Sequence, residues 1–295
     1  MSSRVRAYPP RKLSFSEPWL PASVKRGAPK KFHECMNHDR MTVYTLANLK
    51  GGSGKTTSAV SIAEAMVQKG INVLVVDLDP QGTLSRWLAS RSGSATALLK
   101  GDVEEMSIQS VDLDGAPGSI DVVTANRSLA QMDDVRASKL SKRLKALWDA
   151  SEGYAYGLID PPPSLGGLVL AGLMASDGAL SPVEAGTGAM DGLKDTIEVL
   201  SDVDIQIPLR GAFACRVDVR TTLDTSVRDG LIDELGSLEN GGRAFQTHVR
   251  EAVAMREAQT AGVPPGIYDD SMTAVTDYRG LTSELLTIDD RVDVR

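Results

Sequence analysis

From residue 42 onward, short apolar runs alternate with longer stretches in which apolar positions recur every three to four residues. The runs Thr42–Leu49, Val73–Leu78, Ile120–Ala125, Tyr156–Ile159, Gly178–Val183 and Gly211–Val217 predict strands. Val73–Leu78 is continuously apolar up to its Asp, the mark of a parallel strand covered on both faces. Helices are predicted at Lys55–Lys69, with Val60, Ala63 and Val67 on one face, and at Leu129–Ala150, Ala189–Leu200 and Thr222–Leu238. Two more, Arg250–Ala261 and Met272–Thr287, are split by the breaker Gly262-Val263-Pro264-Pro265-Gly266. Ser92–Gly118 shows the least pattern and reads as a surface insertion. The fold class expected is α/β: one doubly wound, mostly parallel sheet flanked by helices, over residues 41–295.

Composition changes this picture only at the N-terminus. The chain has 295 residues, 42% hydrophobic and 24% charged, with a formal net charge of −7. Residues 1–40 hold nine Lys/Arg against three acids and five of the 14 prolines, without helical or alternating period. They are expected to form a flexible basic extension that meets a polyanion. Within it, His33, Cys35 and His38 are three possible metal ligands lacking a fourth. The longest uncharged apolar stretch, Leu165–Ala175, has eleven residues, about half a membrane span. No apolar leader is visible, and two cysteines, Cys35 and Cys215, fit a reducing cytoplasm.

The candidate chemistry sits where strands end. Lys50-Gly51-Gly52-Ser53-Gly54-Lys55-Thr56-Thr57 lies between the first strand and the first helix. Glycines there let several backbone N–H groups converge on phosphate oxygens, and the helix N-terminus adds its positive end. Lys55 is placed to reach the terminal phosphates and the Thr56 hydroxyl to coordinate Mg²⁺. The usual first glycine of the phosphate-loop pattern is Leu49. Asp77, Asp79 and Asp160 lie at or just past the ends of apolar strands, the edge at which open α/β sheets bind ligands.

These motifs resemble the deviant Walker A ATPases of the ParA/MinD class. Lys-Gly-Gly-x-Gly-Lys-Thr-Thr carries that family's extra lysine, and Asp77-Leu-Asp79-Pro80-Gln81-Gly82 is similar to the ParA form Asp-x-Asp-Pro-Gln-Gly. Leu158-Ile-Asp160-Pro-Pro-Pro-Ser164-Leu165-Gly166 resembles the Walker B strand and its Pro-Pro-Ser-Leu turn. The resemblance implies an ATPase with ATP and Mg²⁺ as cofactors. Gly51, Gly52, Ser53, Gly54, Lys55, Thr56, Thr57 and Arg216 would bind nucleotide. Thr56, Asp77 and Asp160 would serve the metal, and Lys50, Lys55 and Asp79 catalysis. Lys50 would reach the ATP of the other subunit of an ATP-bound homodimer, and Asp79 would position the lytic water. Arg216 follows a strand that in ParA chains recognises the base, but Cys215 stands at the usual Asn.

Within the class, the short acidic end Thr287–Arg295 differs from the basic membrane helix of MinD-like chains. The ParA motifs imply a slow, partner-stimulated ATPase in plasmid or chromosome partition. It would bind nonspecific double-stranded DNA, answer to a ParB-like centromere-binding protein and be cytoplasmic and nucleoid-associated, with no membrane partner. Arg220, Arg243, Arg250, Arg256 and Arg279 are the candidate DNA contacts. The alternatives are a positioning ATPase for a protein cargo and a metabolic ATPase of the same superfamily.

Overall fold

In the computed structural model, the described residues are 11–12 and 40–292, without 90–91, 103–104, 112, 114, 187, 202–206 and 237–241. Most of the expected basic extension, with the His33, Cys35 and His38 trio, lies outside them. The strands are β1 (Arg11–Lys12), β2 (Thr42–Leu46), β3 (Val73–Asp77), β4 (Ser107–Val111), β5 (Ile120–Val123), β6 (Tyr156–Asp160), β7 (Gly178–Glu184) and β8 (Leu209–Cys215), and all but β1 and β4 fall on the expected apolar runs. Their order across the sheet is β1-β4-β5-β3-β6-β2-β7-β8. Every pairing from β5 to β8 is parallel, and β4 and β1 add antiparallel at one edge.

Parallel neighbours need crossovers, and helices supply them. The helices are α1 (Lys55–Val67), α2 (Thr83–Leu88), α3 (Ser94–Lys100), α4 (Ala137–Ala150), α5 (Gly167–Met174) and α6 (Ala189–Leu200), and, after the last strand, α7 (Thr222–Gly236), α8 (Ala254–Ala261), α9 (Pro265–Tyr268) and α10 (Thr273–Val292). Because strand side chains alternate, Val73 and Val75 pack with Val60, Met66 and Leu281 on one face. Leu74 and Val76 pack with Leu140, Leu144 and Leu168 on the other. Asp289 of α10 accepts hydrogen bonds from the Tyr44 hydroxyl and, at 2.8 Å, from that of Tyr156. That buried carboxylate ties the last helix to β2 and β6.

Three sequence expectations are corrected. Ser92–Gly118 is no surface insertion: it forms α3 and β4, and Ala95, Leu98, Met106 and Ile108 are buried in the second face's core. The expected helix Leu129–Ala150 is a 3₁₀ turn, Arg127–Met132, followed by α4. Asp133, the C-cap of that turn, holds the start of α5. Its carbonyl accepts from Gly167 N at 3.2 Å and its carboxylate from Leu168 N at 3.0 Å. The helix expected from Arg250 begins at Ala254, because Val249 and Glu251 N–H groups are bonded to the carbonyls of Ala214 and Val217. The eleven-residue apolar stretch is α5 with its flanks: Leu168, Ala171 and Ala175 are buried in the core with β6 and α4 residues, whereas Leu165 is exposed.

Candidate phosphate and magnesium site

β2 runs directly into the phosphate loop, at the point where the sheet grows outward to β6 on one side and β7 on the other. Such a switch point opens a crevice at the strand ends. Gly52 and Gly54 hold φ of +79° and +91°, which L side chains rarely adopt. A Cβ on Gly54 would also sit 3.2 Å from Cys215 Sγ. Lys55 is buried, and its Nζ donates to the Asn48 carbonyl at 2.8 Å. Burial lowers the Lys55 pKa, while Asp160 and Asp79 oppose that shift. Lys50 is half-buried at the loop's entrance, with its N–H donating to Asn48 Oδ1 at 2.9 Å.

Asp77 and Asp160 are register partners at the ends of β3 and β6. Thr56 Oγ1 donates to Asp160 Oδ2 at 2.7 Å, whereas Asp160 Oδ1 is buried without a hydrogen-bond partner. Burial, and then the nearby Asp77, push the Asp160 carboxyl well above the ordinary carboxylate range. Asp77 is pushed up to about 6, chiefly by burial. Its oxygens are committed: Oδ1 accepts from Asp79 N at 3.0 Å, and Oδ2 accepts from Ser85 N at 2.9 Å and Ser85 Oγ at 2.6 Å. Asp79 is half-buried, with Oδ1 accepting from Gln81 N at 2.8 Å.

A buried carboxylate with an idle oxygen beside a hydroxyl is a hard-oxygen donor set with an unmet demand for positive charge. Among the described residues no group of three or more His, Cys, Asp or Glu side chains is placed to hold a metal. A pair of this kind suits Mg²⁺, which keeps waters and binds through one or two protein oxygens plus phosphate. Asp77, with all its bonds made inside the protein, faces this site as support.

Beside the loop lies a cavity of about 270 Å³, lined by Gly54, Thr57, Arg216, Met255, Gln259 and Tyr278 among others. Arg216 sits at its wall with a left-handed φ of 55°, ion-paired to Glu184 and, at 3.4 Å, to Glu251. Cys215 also lines it, but its Sγ donates to the Ser53 carbonyl at 3.2 Å, and burial pushes the thiol up to about 12. That cysteine therefore braces the loop.

Two residues of this site were not singled out in the sequence. Asn48 orders both lysines, since its carbonyl holds Lys55 and its side chain holds the Lys50 N–H, while Nδ2 donates to Pro182 O at 2.9 Å. Ser85 bridges Asp77 to β5, because its Oγ also accepts from Ala125 N at 2.8 Å. Their proximity to Lys50 and to the Asp-Pro-Gln-Gly motif was the available signal. The five arginines are not gathered into one patch of free charge. Arg220 pairs with Asp218 at 2.6 Å, Arg250 with Asp277 at 2.7 Å and Arg256 with Glu251 at 3.7 Å. Arg279 pairs with Asp270, and Arg243 is exposed.

A family model described as an AAA domain matches residues 41–209. The chromosome-partitioning ATPase Soj of Treponema pallidum is 32% identical over 251 residues, covering 82% of this chain and 96% of Soj. Apo McdA of Cyanothece superposes with a TM-score of 0.69 at 23% identity, covering 83% of this chain and 99% of McdA. Cobyrinic acid a,c-diamide synthase of Mycobacterium smegmatis, solved with an ATP analog and magnesium, gives 0.63 at 28% identity, with 83% and 94% covered. Among the described residues no helix is long and apolar enough to cross a membrane. With its phosphate loop, strand-end carboxylates and parallel sheet, this chain belongs to the ParA/MinD-type P-loop ATPases.

Proposed function

We propose that this protein is an ATP-dependent dimerising switch that binds nonspecific DNA and drives plasmid or chromosome partition with a ParB-type partner. The observation that carries the ATPase reading is the Thr56–Asp160 pair with its idle buried oxygen, set against Lys55 and the glycine loop. Mg²⁺ bound with ATP would neutralise phosphate charge and order the attacking water's surroundings. The loop amides and Lys55 bind the phosphates, and Thr56 with Asp160 holds the cation. Asp77 fixes the Asp79 backbone, leaving the half-buried Asp79 carboxylate to orient water. Lys50, at the loop's entrance, makes turnover depend on the partner subunit, which gives a slow ATPase that a partner can accelerate. The Soj relative, a chromosome-partitioning ATPase, supports partition as the task.

The reading is tested with random-sequence duplex DNA, with ATP, ADP or no nucleotide. Binding with ATP alone is expected, and it should vanish in Lys55→Ala. No binding in any state would refute the partition reading. A positioning ATPase for a protein cargo is the second reading. It is favoured by the ion pairs that four of the five candidate arginines make with acids of their own chain.

A further inference from the structure

Among the described residues, a dense run of positive charge lies on α4. Between Asp134 and Asp149, residues 135–148, Val-Arg-Ala-Ser-Lys-Leu-Ser-Lys-Arg-Leu-Lys-Ala-Leu-Trp, hold five basic side chains and no acid, in a chain whose net charge is −7. Arg136, Lys139, Lys142 and Lys145 are all exposed. At three-residue steps Lys139, Lys142 and Lys145 form an inclined row that spreads over about 120° of the solvent-facing side of α4, and Arg136 stands at its N-cap. The opposite face, Leu140, Leu144, Leu147 and Trp148, is buried in the core. Among the described residues none of these four cations is in an ion pair, whereas Arg40, Arg216, Arg220, Arg250, Arg256 and Arg279 all are.

We propose that the Lys139–Lys142–Lys145 row of α4, with Arg136 at its N-cap, is the surface that grips the phosphate backbone of double-stranded DNA. This rests on the DNA-binding reading above and moves the contact away from the C-terminal arginines. From Lys139 to Lys145 the helix rises about 9 Å, between two and three phosphate spacings along one strand of the duplex. An anionic membrane surface fits less well. Such a surface takes amphipathic helices by their apolar face, and here that face is already occupied by the sheet. The row is also joined to the nucleotide site. Asp133, just before α4, holds the first N–H groups of α5, and that helix follows directly on the Pro161–Gly166 turn beyond Asp160. A Cβ on Gly167 would meet the Asp133 carbonyl at 2.3 Å, so this joint is tight. A change at the Asp160 turn therefore reaches the start of the basic row through backbone contacts.

The test compares ATP-loaded wild type with Lys139→Ala/Lys142→Ala/Lys145→Ala and with Arg243→Ala/Arg256→Ala on random-sequence duplex DNA across a salt series. The lysine variant should fold, hydrolyse ATP at the basal rate and lose affinity on the order of 100-fold at moderate salt. Its log–log salt slope should be shallower by about 3, near 0.9 per lost contact. The arginine variant should change neither quantity by much. Wild-type-like binding of the lysine variant would overturn the α4 assignment while leaving DNA binding itself intact. Failure of the wild type to bind DNA in every nucleotide state would overturn both. Wild-type capture by phosphatidylglycerol vesicles but not by DNA, lost in the lysine variant, would reassign the row to a lipid surface.

Discussion

Asp160→Asn should make the nucleotide-free protein more stable while depriving it of stabilisation by Mg·ATP. The side chain is fully buried, one oxygen takes the Thr56 hydroxyl at 2.7 Å, and the other has no partner. Desolvation and then repulsion from Asp77 are the two largest influences on its ionisation, and both oppose the charge. Thr56 and Lys55 favour the charge but rank below both of those. An asparagine keeps an oxygen for Thr56 and removes the charge. An unsatisfied buried polar group costs more when charged; the Asn Nδ2 inherits the partnerless position, so only the excess cost of the charge is recovered, on the order of 1 kcal/mol at neutral pH. The sign with pH follows. A carboxyl whose folded pKa is raised burdens the fold above that pKa, and the burden disappears as pH falls to the unfolded value near 3.8. The advantage of the variant should therefore shrink on acidification. Saturating Mg·ATP at about 100 times Kd should add about 2.7 kcal/mol to wild type and little to the variant. Urea unfolding with and without Mg·ATP at pH 7.5 and pH 5 reads all three effects. A less stable nucleotide-free variant, or one stabilised by Mg·ATP like wild type, would refute the reasoning.

Three further outcomes follow from the same packing. Ser85→Ala removes one donor from the buried Asp77 and the acceptor of Ala125 N, and should cost about 3 kcal/mol in urea unfolding; a loss below about 1 would remove Ser85 from the support of Asp77. Asp289→Ala takes the shared acceptor from Tyr44 and Tyr156 and should cost about 3 kcal/mol, with amide exchange rising first in α10; uniform exchange through the sheet would contradict the clasp. Asp79→Ala should bind ATP and accumulate as dimer with hydrolysis suppressed, as read by light scattering and phosphate release. Full turnover would remove Asp79 from its role.

The phosphate loop, the strand-end aspartates and the parallel α/β class were legible because each is carried by contiguous residues. Local backbone chemistry decides them: glycines that reach positive φ, a strand that delivers a loop, a helix that begins at Lys55. The partners of those groups were not legible. Cys215 reads as a strand cysteine, and only the fold, by bringing β8 against the loop, turns it into a brace on Ser53. The stretch from Ser92 to Gly118 lacks a clear period because β4 pairs at the sheet edge and α3 is short. Its burial depends on neighbours far along the chain. The charges divide most sharply of all. Sequence gives the count of arginines and lysines, but which are neutralised depends on acids brought near by folding, such as Asp277 for Arg250. The same tertiary packing turns the apolar side of α4 inward and leaves its lysines facing water. Residue identity thus determined the chemistry available at each position, while long-range packing decided which charges remain available to a partner.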